Sequence, residues 1–173
     1  TSAPMTNLMK RVLTGYRLRY PRVTLTLIES PSERQRDALT ERTLDIGLVR
    51  QADDAPPIAG LSFETLIDEA LVVVLHQGHA LSGRASLSMA DLAHEAFIMH
   101  PHDVGTAIDG KIRRMCERAG FSPRVVQEAR ESTTIVALAA SGLGVAILPA
   151  AVRCIQIEGA CFIDLSEPDA HPP

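Results

Sequence analysis

The feature that most narrows the fold is an alternation of short, continuously apolar runs with single amphipathic segments. Val23-Thr24-Leu25-Thr26-Leu27-Ile28 and Asp45-Ile46-Gly47-Leu48-Val49 are β-branched and apolar, the composition of strands buried between helices. Before the first, Leu8, Met9, Val12, Leu13 and Tyr16 recur at helical spacing from Asn7 to Leu18, with Lys10, Arg11 and Arg17 on the other face. Tyr20-Pro21 stops that helix, because the residue before a proline disfavours helical angles. Ser30-Pro31-Ser32-Glu33 reads as a loop and helix cap with acid in the first turn, and the helix follows over Gln35 to Leu44. Strands joined by single helices pair in parallel through right-handed crossovers, which makes the chain α/β.

The pattern then breaks and resumes. Residues 51–60 are rich in Ala, Pro and Asp without periodicity, a surface loop. Leu61 to Leu66 and Ala70 to Leu75 are strands split by Asp68-Glu69, so the chain is expected to leave one lobe for another between Glu64 and Ala70. Ser88 caps a short helix over Met89 to His94, and Ala96 to Met99 is a strand. A helix over Thr106 to Ala119 carries Ile108, Ile112, Met115 and Cys116 on one stripe and ends at Gly120. Val125 to Glu128 is a strand, Ser132 or Thr133 caps a helix to Ala140 that Gly142 ends, Val145 to Leu148 is a strand, and Pro149 opens a short helix. This gives a first lobe over residues 1–67, a second over 68–167, and a second crossover at 168–173.

Bulk properties exclude several classes. A chain of 173 residues, 46% hydrophobic and 22% charged, folds as an ordinary globular protein. A net charge of −4 provides no basic stripe for a phosphate backbone, so this chain alone is not expected to bind duplex DNA. Apolar runs such as Ala70 to Leu75 fall far short of the roughly 20 residues of a membrane helix, and Thr1-Ser2-Ala3-Pro4-Met5 lacks the pattern of a secretory signal. Cys116, Cys154 and Cys161 are an odd number without CxxC spacing, which argues for reduced thiols. His76 with His79 and His100 with His102 sit in loops without an HExxH helix and read as surface histidines rather than zinc ligands. There is no GxSxG elbow or P-loop, and Gly142-Leu143-Gly144 lacks the third glycine of a dinucleotide site. No enzyme, cofactor or metal is implied.

What remains is a binding protein for an anion. A helix N-terminus offers free amides and the positive end of the macrodipole, and short hydroxyls beside it add donors. Three candidate starts carry hydroxyls: Thr1 with Ser2, Ser32, and Ser132 with Thr133. Each follows, or would follow, a parallel strand, at the sheet edge where open α/β folds bind ligands. Arg50 and Glu131 fall at the same edges and are candidates for an ion-pair latch between lobes.

Taken together, RLRYPRVTLTLIE, ALTERTLDIGLVR, LIDEALVVVLHQGHAL, SLSMADLAHEAFIM and ALAASGLGVAILP resemble the effector-binding domain of LysR-type transcriptional regulators, in the family's order and over nearly the whole chain. Arg130-Glu131-Ser132 and Ile147-Leu148-Pro149-Ala150 look most like the branch that regulates aromatic-compound degradation and senses muconate-like dicarboxylates. The resemblance implies two Rossmann-like lobes of the periplasmic-binding-protein type II kind with an effector cleft between them. It also implies a cytoplasmic bacterial regulator that forms a homodimer or homotetramer. Promoter DNA is then bound by an N-terminal winged helix-turn-helix that this chain does not include, and a first strand before Thr1 and a last strand and helix after Pro173 are expected. Carried over residue by residue, the site for a mono- or dicarboxylate is Thr1, Ser2, Ala3, Ser32, Thr106, Ile108 and Ser132, and helices 7–18 and 106–119 are candidates for self-association. Arg42 stands where the family often has glycine, and Ala80 replaces a usual proline. Ile67 stands where some relatives have an arginine lining a second effector pocket, which argues against a second aromatic-acid site. A periplasmic-type solute-binding protein for a small anion shares the architecture and is the alternative.

Overall fold

A computed structural model describes residues 5–49, 56–66, 69–101, 107–167 and 170. The chain divides into two compact units, residues 1–64 and 65–173.

The second unit is a sheet covered on both faces. Its strands are β1 (Leu71–His76), β2 (Ser86–Leu87), β3 (Ala96–Met99), β4 (Arg124–Glu128), β5 (Ala146–Pro149) and β6 (Ala160–Leu165). The order β2-β6-β1-β5 continues through a parallel bridge between Phe97 and Val145 into β3-β4. Odd and even residues of β1 explain its continuous apolar run. Leu71, Val73 and Leu75 pack in one cluster with Ile112, Met115 and Cys116 of α3 (Ala107–Arg118), while Val72 and Val74 pack in the other with Ile135, Val136 and Ala139 of α4 (Ser132–Ala140). Leu71 to Leu75 are buried on both faces of the sheet, and only His76 at the strand's end is polar. The apolar stripe of α3 is thus spent inside its own unit.

Two details depart from the sequence reading. The sheet is not wholly parallel: β1 runs antiparallel to both β5 and β6, while β2–β6, β3–β4 and the Phe97–Val145 bridge are parallel. Strand direction leaves no trace in periodicity, and an antiparallel strand in an otherwise parallel sheet is a common mixed solution. β2 and β6 went unread, being respectively two residues long and interrupted by Asp164.

The first unit carries α1 (Met5–Arg19) and α2 (Ser32–Thr40). Val23 to Ile28 and Asp45 to Val49, expected as strands, are not assigned to any ladder among the described residues, and Val23, Leu25, Leu27, Ile28 and Ile46 are exposed. A strand is defined by a neighbour that takes its backbone hydrogen bonds, and β-branched composition alone does not supply one. The segments are tied to α2 instead. The Gln35 side chain donates to the Ser30 carbonyl at 2.8 Å and accepts from the Leu48 N–H at 2.9 Å. Arg42, two residues past α2, has φ +58°, the left-handed geometry that accounts for the family's glycine there.

Candidate functional site

In the second unit the carboxyl ends of β3, β4 and β5, together with the start of antiparallel β1, share one edge of the sheet. β4 runs into α4, whose first intrahelical bond is Ile135 N–H to the Glu131 carbonyl at 3.0 Å. Ser132 is therefore the first helical residue and Glu131 holds the cap position, with extended φ −100° and ψ 131° and no side-chain cap bond. The same holds in the first unit, where Ser32 opens α2, Pro31 occupies the cap position, and Gln35 N–H makes the first bond to the Pro31 carbonyl at 3.0 Å. The sequence offers both serines as caps, and both sit one residue later. A proline has no side-chain acceptor, and the Glu131 carboxylate makes no cap bond, so neither first turn is closed by its own cap residue.

A third helix start on the same edge of the second unit behaves differently. The 3-10 turn Ala150–Cys154 follows β5, and Ala151 N–H donates to the Glu69 carboxylate at 3.1 Å while Ala150 N–H donates to the Ala70 carbonyl at 2.7 Å. This start is already filled by an anion of the chain itself. Sequence reading noted Asp68-Glu69 only as a break between strands. A contact between residues 82 positions apart has no local signature.

Ser32 and Ser132 are half-buried, and Ile108 is half-buried against the second unit's own core. Thr1, Ser2, Ala3, Arg50 and Thr106 lie outside the described residues, and the expected Arg50 to Glu131 latch falls outside them too; Glu131 is exposed. Near the end of β3, a cavity of about 10 Å³ is lined by Met99, His100, Asp109 and Ile112 among others, space for no more than a water. Asp109 is buried and receives a 3.0 Å bond from Arg113 Nε one turn on.

A groove of about 380 Å³ lies elsewhere, lined by Ile155, Ile157, Ala160 and Phe162 with Arg153 and Glu158. It flanks the beginning of β6, toward the amino edge of the parallel strands, and Arg153 is held by the Asp164 carboxylate at 2.7 Å. Its volume alone does not make it the site. His76 and His79 are accounted for locally, since each accepts a turn amide at Nδ1, from Gly78 at 3.0 Å and from Leu81 at 3.2 Å. Among the described residues no cluster of three metal-ligating side chains occurs, and no helix is long and apolar enough to cross a membrane.

Comparison with known proteins is consistent with this arrangement. Residues 1–171 match the LysR substrate binding domain. The chain is 32% identical over 170 residues to the uncharacterized HTH-type transcriptional regulator YnfL of Escherichia coli, covering 98% of this chain and 56% of that protein. The crystal structure of the effector binding domain of a BenM variant, BenM being an HTH-type transcriptional regulator of Acinetobacter baylyi, superposes with a TM-score of 0.85. Identity there is 25%, over 94% of this chain and 75% of that one. The BenM effector binding domain with its effector benzoate gives a TM-score of 0.78 at 24% identity, over 95% of this chain and 73% of that one. The chain spans about half the length of the curated relatives it matches, and those relatives are named transcriptional regulators, not enzymes.

Proposed function

The chain belongs to the LysR substrate-binding-domain family, with its two-lobed, periplasmic-binding-protein type II-like α/β fold, and on that premise we propose that it binds a small organic carboxylate at the starts of α2 and α4. The observation that supports the ligand class is the contrast among helix starts. Ser32 and Ser132 open first turns that no cap side chain closes, whereas the start at Ala150 is filled by Glu69. Amides and hydroxyls bind an anion without a full opposing charge, so the ligand remains exchangeable. Thr1, Ser2, Ala3, Thr106 and Ile108 complete the proposed site, and Arg50 with Glu131 the proposed latch. Lobes over 1–67 and 68–167 are part of the same reading.

In the longer protein the domain serves a cytoplasmic bacterial regulator that self-associates and contacts promoter DNA through a separate helix-turn-helix. The likeness to BenM, whose effector is benzoate, supports the aromatic-degradation branch and an apolar carboxylate. Names of relatives as transcriptional regulators favour this over an exported solute-binding protein. A thermal-shift comparison of benzoate with benzamide tests the anion requirement. Benzoate is expected to raise the melting temperature and benzamide, equal in shape and uncharged, to leave it unchanged; equal shifts would remove the carboxylate from the account.

A further inference from the structure

Gln35 is 8% exposed, and both ends of its carboxamide are engaged. A backbone carbonyl only accepts and a backbone N–H only donates, so the bonds to Ser30 and Leu48 fix the amide in one orientation. The chain passes close by: a Cβ on Gly47 would lie 3.3 Å from Gln35 Oε1 and 2.9 Å from the Leu39 Cδ1 methyl, so a side chain there would press on both. The Ser30 carbonyl, in the turn that leads into α2, is held by this side chain.

Resting on the carboxylate reading above, we propose that Gln35 is a positioning residue of that site, locking the Ser30–Ser32 turn to the segment ending at Val49 so that occupancy at the start of α2 is felt at Leu48. Gln35 acts through the backbone it holds, giving one N–H to the Ser30 carbonyl and accepting the Leu48 N–H at Oε1. The sequence placed it only as the first residue of a helix. Asparagine is one methylene too short to span the two partners, and glutamate keeps the acceptor for Leu48 while turning a carboxylate oxygen against the Ser30 carbonyl.

The test is hydrogen exchange at the Leu48 amide by NMR in the whole chain, with and without benzoate at matched saturation, using Val73 in β1 as the reference amide. In the wild type, benzoate is expected to slow Leu48 exchange about tenfold or more. In Gln35→Met, of similar length but with neither hydrogen bond, Leu48 exchanges fast with or without benzoate and benzoate affinity falls about tenfold, while Val73 is unchanged. Gln35→Glu separates the two bonds and serves if the methionine variant does not fold: Leu48 stays protected without ligand but no longer responds to it. If benzoate binds and slows Leu48 equally in these variants and the wild type, or binds the wild type without affecting Leu48, the positioning role is overturned and the carboxylate site stands. If the wild type binds neither benzoate nor any of a panel of mono- and dicarboxylates, both fall.

Discussion

Gly144→Ala is the substitution whose cost follows most directly from the structure. Gly144 is constrained by space: a Cβ there would sit 2.5 Å from the Ala96 carbonyl oxygen, 3.1 Å from its carbonyl carbon and 3.4 Å from its Cβ. The first two are backbone atoms, so no rotamer change relieves the contact and β3 must move away from β5. That seam is held by Val145 N–H to the Ala96 carbonyl at 2.7 Å and Ile98 N–H to the Val145 carbonyl at 2.8 Å, between fully buried Phe97 and Val145. Each bond contributes about 0.5–1.5 kcal/mol net, and forcing extra volume into a packed core costs about 1–3 kcal/mol. The expected loss is about 2–6 kcal/mol, roughly a 10–25 °C fall in melting temperature for a unit of this size. Gly142→Ala is the control, since φ +81° there costs a side chain about 1–2 kcal/mol with no close backbone contact. Urea unfolding followed by far-UV circular dichroism ranks the two. A Gly144→Ala protein within about 0.5 kcal/mol of wild type, or more stable than Gly142→Ala, would refute the reasoning.

Arg42→Gly is expected to stabilise the first unit by about 0.5–1 kcal/mol, because relief of the left-handed φ of +58° outweighs glycine's extra unfolded-state entropy; a lower urea midpoint by tyrosine fluorescence, both tyrosines lying in that unit, would contradict it. Burial pushes the Cys116 thiol from 9.0 up to about 11. Its folded form stays protonated while the unfolded thiol ionises, so stability, complete below pH 9, falls by roughly 2 kcal/mol as pH rises toward 11, and a Cys116→Ala protein with the same alkaline slope would refute this. The Asp91 carboxyl is held below its ordinary value by the Ser88 N–H at 2.8 Å and the Ser88 hydroxyl at 2.7 Å. Stability is therefore lost as pH falls below about 4 through that lowered value, and Asp91→Asn should flatten the acid limb of a melting-temperature profile; an unchanged limb would contradict it.

The second unit was legible where local chemistry decides. Ala96 to Met99 is a strand as read, and Gly120 and Gly142 end α3 and α4 at φ +85° and +81°, positions where a left-handed turn requires glycine. The cap serines of α2 and α4 were legible to within one residue, since a serine at the first helical position and one at the cap give the same composition, whereas the helix expected over Gln35 to Leu44 spans Ser32–Thr40. The direction of β1, the absence of a ladder at Val23 to Ile28 among the described residues, and the roles of Gln35 and Glu69 were not legible, because each depends on a partner distant in sequence. Leu48 is 13 positions from Gln35 and Ala151 is 82 from Glu69, beyond any periodic pattern.

Calorimetric titration of benzoate into the wild type, Ser32→Ala and Ser132→Ala tests the central claim most directly. One carboxylate per chain is expected, with each serine contributing a charge-assisted hydrogen bond of about 1.5–3 kcal/mol, so that either substitution weakens binding roughly tenfold to more than a hundredfold while the melting temperature without ligand is unchanged. Failure of benzoate and a panel of mono- and dicarboxylates to bind the wild type, or affinity unaltered in both serine variants, would contradict the account.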